Sequence, residues 1–296
     1  DEADAAAILK HFDPEEVRTL GKSMFDVASV SEAEIELALD RFVLGSRTIS
    51  TLAVGADARI RSVMTEALGN VRADNILATI APQSSAQALE LLKEGNKRFV
   101  NNLKVNRNLL QQANETSDGQ HPFAVILSCI DSRTSAELIF DQGLGDIFSV
   151  RIAGNIINED ILGSMEFACK AAGSKFIVVL GHTKCGAVRG ACDHVEMGNL
   201  TALLSKIQPA VYDEKTETEN RNSTNADFVE KVATINVKRT VHAIMERSTI
   251  LKEMIEKGEI GIAGGTHDIA TGEVKFYADT LWIWENDSVK QELQTA

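Results

Sequence analysis

Basic residues are scarce in this chain: 30 Lys and Arg face 43 Asp and Glu, a net charge of −13. A phosphate backbone or an anionic lipid surface needs a basic footprint, so broad binding to nucleic acid or membrane surfaces is excluded. A small anionic substrate is not, because one pocket can be positive on an acidic protein. No apolar stretch approaches the roughly 20 residues of a membrane span. The run 176–180 has the length of a buried strand. Cysteine is sparse too, with four in 296 residues. This excludes a disulfide-stapled secreted scaffold, and a hydrophobic content of 44% supplies a core without staples. The acidic start Asp1-Glu2-Ala3-Asp4 has no signal-peptide pattern, so a reducing, cytoplasmic setting is expected. Internal repeats and low-complexity tracts are also missing.

What is present suggests two domains, the natural expectation at this length. Residues 1–81 read as a small all-α domain. Asp13-Pro14-Glu15-Glu16 starts a helix, with a capping Asp and acids at the positive helix end. Ser31-Glu32-Ala33-Glu34 is a capping box ahead of the apolar-periodic stretch 35–43. Ile60, Val63, Met64 and Leu68 share a face of a third helix, and 71–80 forms a short fourth. No His/Cys cluster or phosphate loop occurs there. Residues 82–85 form the expected linker: Pro82 disfavours helix before it, and Ser84 or Ser85 can cap the next helix. Residues 86–296 alternate helix and strand. Strands are expected at 123–128, 146–152 and 175–181, with helices at 86–101, 161–172, 199–207 and 227–246. A closing hairpin turns at Thr271-Gly272, and 213–226 reads as an exposed loop. Strands apolar throughout imply α/β architecture, a mainly parallel sheet flanked by helices.

The chemistry gathers at two strand ends. The first strand runs into Cys129-Ile130-Asp131-Ser132-Arg133, the third into Gly181-His182-Thr183-Lys184-Cys185-Gly186. Ligands in open α/β sheets collect beyond the carboxyl ends of strands. Two thiolates and one imidazole suit Zn2+ and leave a fourth position open, as catalytic zinc sites do. Either pair alone is weak, since a cysteine at a strand end is usually a small buried apolar residue. Together, with Asp and Arg at fixed offsets, they are specific. Cys169 and Cys192 read as core and His194 as surface; His11, His121 and His242 belong to no constellation.

Cys129-x-Asp131-x-Arg133 followed by His182-x-x-Cys185 resembles the signature of the β-class carbonic anhydrases, and the likeness extends through 128–155 and 178–190. The resemblance implies reversible hydration of carbon dioxide to bicarbonate, with Cys129, His182 and Cys185 as zinc ligands. It implies Asp131 and Arg133 as the catalytic dyad, with Asp131 also a conditional metal ligand. It places Gln120, Phe148 and Gly186 as substrate contacts, and a homodimer or larger homo-oligomer as the working form. Three positions depart from the family pattern: Ala153 stands where Val is usual, Ile152 where Asn is common, and His267 where Tyr is frequent. Hydrolysis of carbon disulfide or carbonyl sulfide is an alternative for the same metal set. A scaffolding protein with a structural zinc is another. Residues 7–24 and 57–80 resemble the N-terminal domain of the flagellar motor switch protein, which implies a helical module that binds a protein partner.

Overall fold

Unbroken runs of aliphatic residues set the centre of the sheet. Ala124–Ser128 (β1) and Phe176–His182 (β3) are buried at every position, as strands covered on both faces must be. Ile147–Arg151 (β2) alternates buried with more open positions. Gly261–His267 (β4) and Val274–Phe276 (β5) complete five strands in the order β2-β1-β3-β4-β5. The first three pairings are parallel; the β4–β5 hairpin is antiparallel. This computed structural model describes residues 84–117 and 119–283, all within the second of the chain's two units, 74–296. The helices expected within 1–81, the first two residues of the expected linker and the tail beyond 283 lie outside the described residues.

Nine α-helices lie among the described residues. Ser85–Val100 (α1) starts on Ser84, whose hydroxyl accepts from the Gln87 amide. Leu109–Glu115 (α2) and Ala136–Ile139 (α3) are short. Glu159–Glu166 (α4) is capped by Asn158 and passes into a π turn at Phe167–Ala171, so the helix expected at 161–172 begins earlier and changes its winding. Gly186–Cys192 (α5), Gly198–Leu204 (α6) and Gln208–Asp213 (α7) come after β3. Ala226–Arg247 (α8) and Thr249–Glu256 (α9) precede β4. The residues at 213–226 are not simply an exposed loop. Glu214 is 2% exposed and accepts from the amides of Thr216 and Glu217 and from Arg221, which pins the loop to the end of α7.

Three apolar clusters hold these layers together. One face of the sheet packs Ile126, Phe176, Val178 and Leu180 against Leu89 and Leu92 of α1 and Phe140. The other packs Val125, Leu127, Ile177 and Val179 against Met165, Val237, Val241 and Leu251. The third lies past the strand ends, where Cys129 and Cys185 meet Ile156, Val188, Ile207 and Phe228. Close seating of α8 on β3 and β4 depends on two glycines: a Cβ on Gly181 or Gly264 would stand 2.6 or 2.7 Å from Val237.

Candidate metal centre

The topology makes a crevice before any side chain is considered. β1 and β3 are hydrogen-bonded neighbours, yet the chain leaves β1 for β2 on one side and β3 for β4 on the other. At such a switch point the two connections diverge and open a space beyond the carboxyl ends. Cys129 comes directly after β1, His182 ends β3, and Cys185 caps α5. Their ligand-capable atoms all lie within 4.8 Å of one another, the only such group of three among the described residues. The two sulfurs are 4.0 Å apart. All three residues are buried. Lys184, between the two donors of the His182–Cys185 turn, has φ +57°, unusual outside glycine. Three contacts hold that turn. The Thr183 amide donates to the His267 carbonyl at 3.0 Å, Thr183 Oγ1 accepts from the Ile269 amide at 3.1 Å, and the Lys184 amide donates to Glu230 Oε1 at 2.8 Å.

The donors are electronically ready for a cation. His182 Nδ1 lies 2.9 Å from the Thr183 carbonyl oxygen. A carbonyl only accepts, so Nδ1 carries the proton and Nε2 the lone pair. Nε2 is buried with no hydrogen-bond partner, which a bound metal would supply. The thiol pair gives up its first proton readily at Cys129, because Cys185 donates to that sulfur and the His182 ring and the Gly154 amide lie against it. The charge left on Cys129, with burial, holds the second proton on Cys185. A dication that neutralises both sulfurs removes that conflict.

Asp131 and Arg133 form a bidentate pair, Nε to Oδ1 at 2.9 Å and an outer nitrogen to Oδ2 at 2.8 Å. The Arg133 amide adds a bond to Oδ1 at 3.0 Å. Those bonds hold the Asp131 carboxyl far below the usual carboxylate range. Arg151 braces the same turn from β2, donating to the carbonyls of Cys129 at 3.0 Å and Asp131 at 2.6 Å. The substrate-contact candidates are more scattered. Gln120 is exposed in the loop before β1, and Gly186 opens α5, also exposed. Phe148 lines a cleft on the β2 edge with Val150, Arg151, Gly163 and Phe167; its ring meets Phe167 edge-on at 6.3 Å. Ile152 and Ala153 are half-buried between β2 and the 3-10 turn. His267 is buried opposite His182 in register, both ring nitrogens unpartnered, and burial lowers its pKa to about 4. Cys169 and Cys192 are core residues, their thiols pushed by burial up to about 12 and about 11. His194 is exposed.

Four residues around the metal centre escaped the sequence reading: Arg151, Gly154, Glu230 and Asn236. Asn236 carried one faint signal, an amide inside a mainly apolar helical row.

The fold and donor set can now be set beside known proteins. The carbonic anhydrase family model matches residues 124–274, about half the chain. Carbonic anhydrase 2 of Mycobacterium tuberculosis is 37% identical over 197 residues, which is 62% of this chain and 89% of that protein. The structure of the β-carbonic anhydrase CafA of Aspergillus fumigatus superposes with a TM-score of 0.52 at 27% identity, covering 63% of this chain and 88% of that one. The chain belongs to the carbonic anhydrase family, with the β-class fold. Its reaction is the reversible hydration of carbon dioxide to bicarbonate and a proton. A second family model, the FliG N-terminal domain, matches residues 1–89, across the linker expected at 82–85 and into α1. The flagellar motor switch protein FliG of Pseudomonas aeruginosa is 37% identical over 101 residues, 33% of this chain and 29% of that protein.

Proposed function

We propose that hydration runs on one zinc held by Cys129, His182 and Cys185, with Asp131 and Arg133 as its catalytic dyad. The observation that carries this is the buried His182 Nε2 lone pair, unpartnered and grouped with two thiols at the switch point. Zinc bound there supplies Lewis acidity, which lowers the pKa of water toward neutrality. The protein supplies orientation. Asp131, fixed by Arg133, keeps lone pairs free to accept a hydrogen bond from the attacking oxygen and aim its electrons. If the pair opens, the carboxylate becomes free to take the fourth metal position. Gln120 and the Gly186 amide are the donors proposed for bicarbonate oxygens, and Phe148 an apolar wall for carbon dioxide. A purely structural zinc would have no use for a bidentate dyad beside it.

The same reading takes the enzyme as at least a dimer. β2 forms one of the two edges of the described sheet, and the Phe148–Phe167 cleft opens along it, a suitable seat for a second copy. Metal analysis tests the central claim: purified protein is expected to hold about one zinc per chain. Cys129→Ser, His182→Ala and Cys185→Ser should each lose most of it, with carbon dioxide hydration by stopped flow falling in parallel. Unchanged metal content in all three would overturn the assignment.

A further inference from the structure

The buried face of α8 is built from Phe228, Val229, Val232, Ala233, Val237, Val241 and Ile244, with two polar residues among them, Asn236 at 3% exposure and Thr240 at 6%. An amide in such a row is costly unless it is bonded. Asn236 Nδ2 donates to the Gly154 carbonyl at 2.9 Å. Gly154 is in the left-handed region, φ +68° and ψ +19°, inside the 3-10 turn after β2. Its own amide points at Cys129 Sγ, at 3.4 Å. The residue is also wedged: a Cβ there would stand 2.5 Å from Ile207. One glycine is thus held by its carbonyl from a distant helix while its N–H addresses a sulfur of the metal centre.

We infer that Asn236 is a positioning residue for the metal centre, fixing Gly154 so that its N–H donates to the Cys129 thiolate. This deepens the zinc reading and rests on it. A hydrogen bond to a metal-bound thiolate draws charge from the sulfur and fixes its direction, and partners of this kind tune affinity. The alternative role is purely architectural, a buried amide that satisfies a buried carbonyl. Stability alone does not separate the two, because both lose a hydrogen bond when Asn236 is replaced.

Spectroscopy on the metal-substituted full chain separates them. In cadmium-113 protein the Gly154 amide should show scalar coupling to the metal through the sulfur. In cobalt protein, Asn236→Leu should move the thiolate-to-metal charge-transfer band to lower energy, as a sulfur that loses a donor becomes easier to oxidise. Zinc affinity, measured by chelator competition, should fall about ten- to a hundredfold. Val241→Ala, which opens a cavity on the same helix, should lower the melting temperature and change none of the three. If Asn236→Leu does not fold, Asn236→Ala replaces it, and the cadmium coupling needs no variant. Absent coupling at Gly154 in the unsubstituted chain overturns the inference. So does an Asn236 variant with normal band and affinity. Wild-type protein that takes up neither metal through its thiolates refutes the zinc reading, and this inference with it.

Discussion

Arg133 is largely exposed, at 55% for its side chain, so its pair with Asp131 adds little to folding. Its value is in direction: without its guanidinium only the backbone amide of residue 133 still holds the Asp131 carboxylate. Arg133→Ala should therefore keep its zinc and its melting temperature while hydration falls about a hundredfold; normal turnover by stopped flow would make Arg133 a bystander. Asp141 poses the opposite case. Its carboxylate is 4% exposed and bridges Arg98 at 2.5 Å and Arg107 at 2.6 Å, and its φ of +46° is one that Asn also tolerates. Asp141→Asn therefore removes the charge without disturbing the backbone. It should cost about 3 kcal/mol at most in urea unfolding, because both arginines stay partly in water. Burial alone would raise the Asp141 pKa, but the arginine bonds outweigh it and the net direction is down. Its contribution is therefore complete above the unfolded carboxylate value of about 3.9 and is lost as pH falls below it. The wild type should lose stability more steeply there than Asp141→Asn. At this scale the gathering of Cys129, His182 and Cys185 was legible because two short motifs, 129–133 and 182–185, each stand at a strand end. Arg151, Glu230 and Asn236 were not, because each acts on a backbone group 20 or more residues away.

At the scale of elements, apolar continuity announced β1 and β3, and Ser84 announced the start of α1. β5, three residues long, was marked by the hairpin turn before it and not by any period, and α3, four long, is too short to show one. α7 and α9 left readable marks that went unused, a proline in the first turn of α7 and a Ser248 cap on α9. The loop at 213–226 looked free because its composition is polar; burial of Glu214 depends on Arg221, a contact that composition does not show. Seating of α8 gives a direct test. Gly264→Ala would put a methyl 2.7 Å from Val237 and force the helix off β4. Overpacking of this kind should cost about 1–3 kcal/mol by thermal unfolding. An unchanged melting temperature would mean that α8 has slack against the sheet.

For the whole molecule, every residue assigned a chemical role lies after position 119, and the FliG-like match ends at 89. A chain beginning at Ser84 should fold, bind zinc, hydrate carbon dioxide near the full-length rate and sediment as at least a dimer. Insolubility or loss of zinc would count the first 81 residues as part of the enzyme, and active monomers would overturn the dimer.

β1 and β3 are buried at every position, and two of the three donors proposed for zinc, Cys129 and His182, stand at their ends. Strands at the centre of a core exchange their amides only when most of the molecule opens. Donors mounted on such strands keep their spacing while looser parts of the molecule open and close, so the site proposed for zinc should stay assembled through local unfolding. Slow amide exchange in both strands, with and without added metal, would mean that the fold builds the site before any cation arrives.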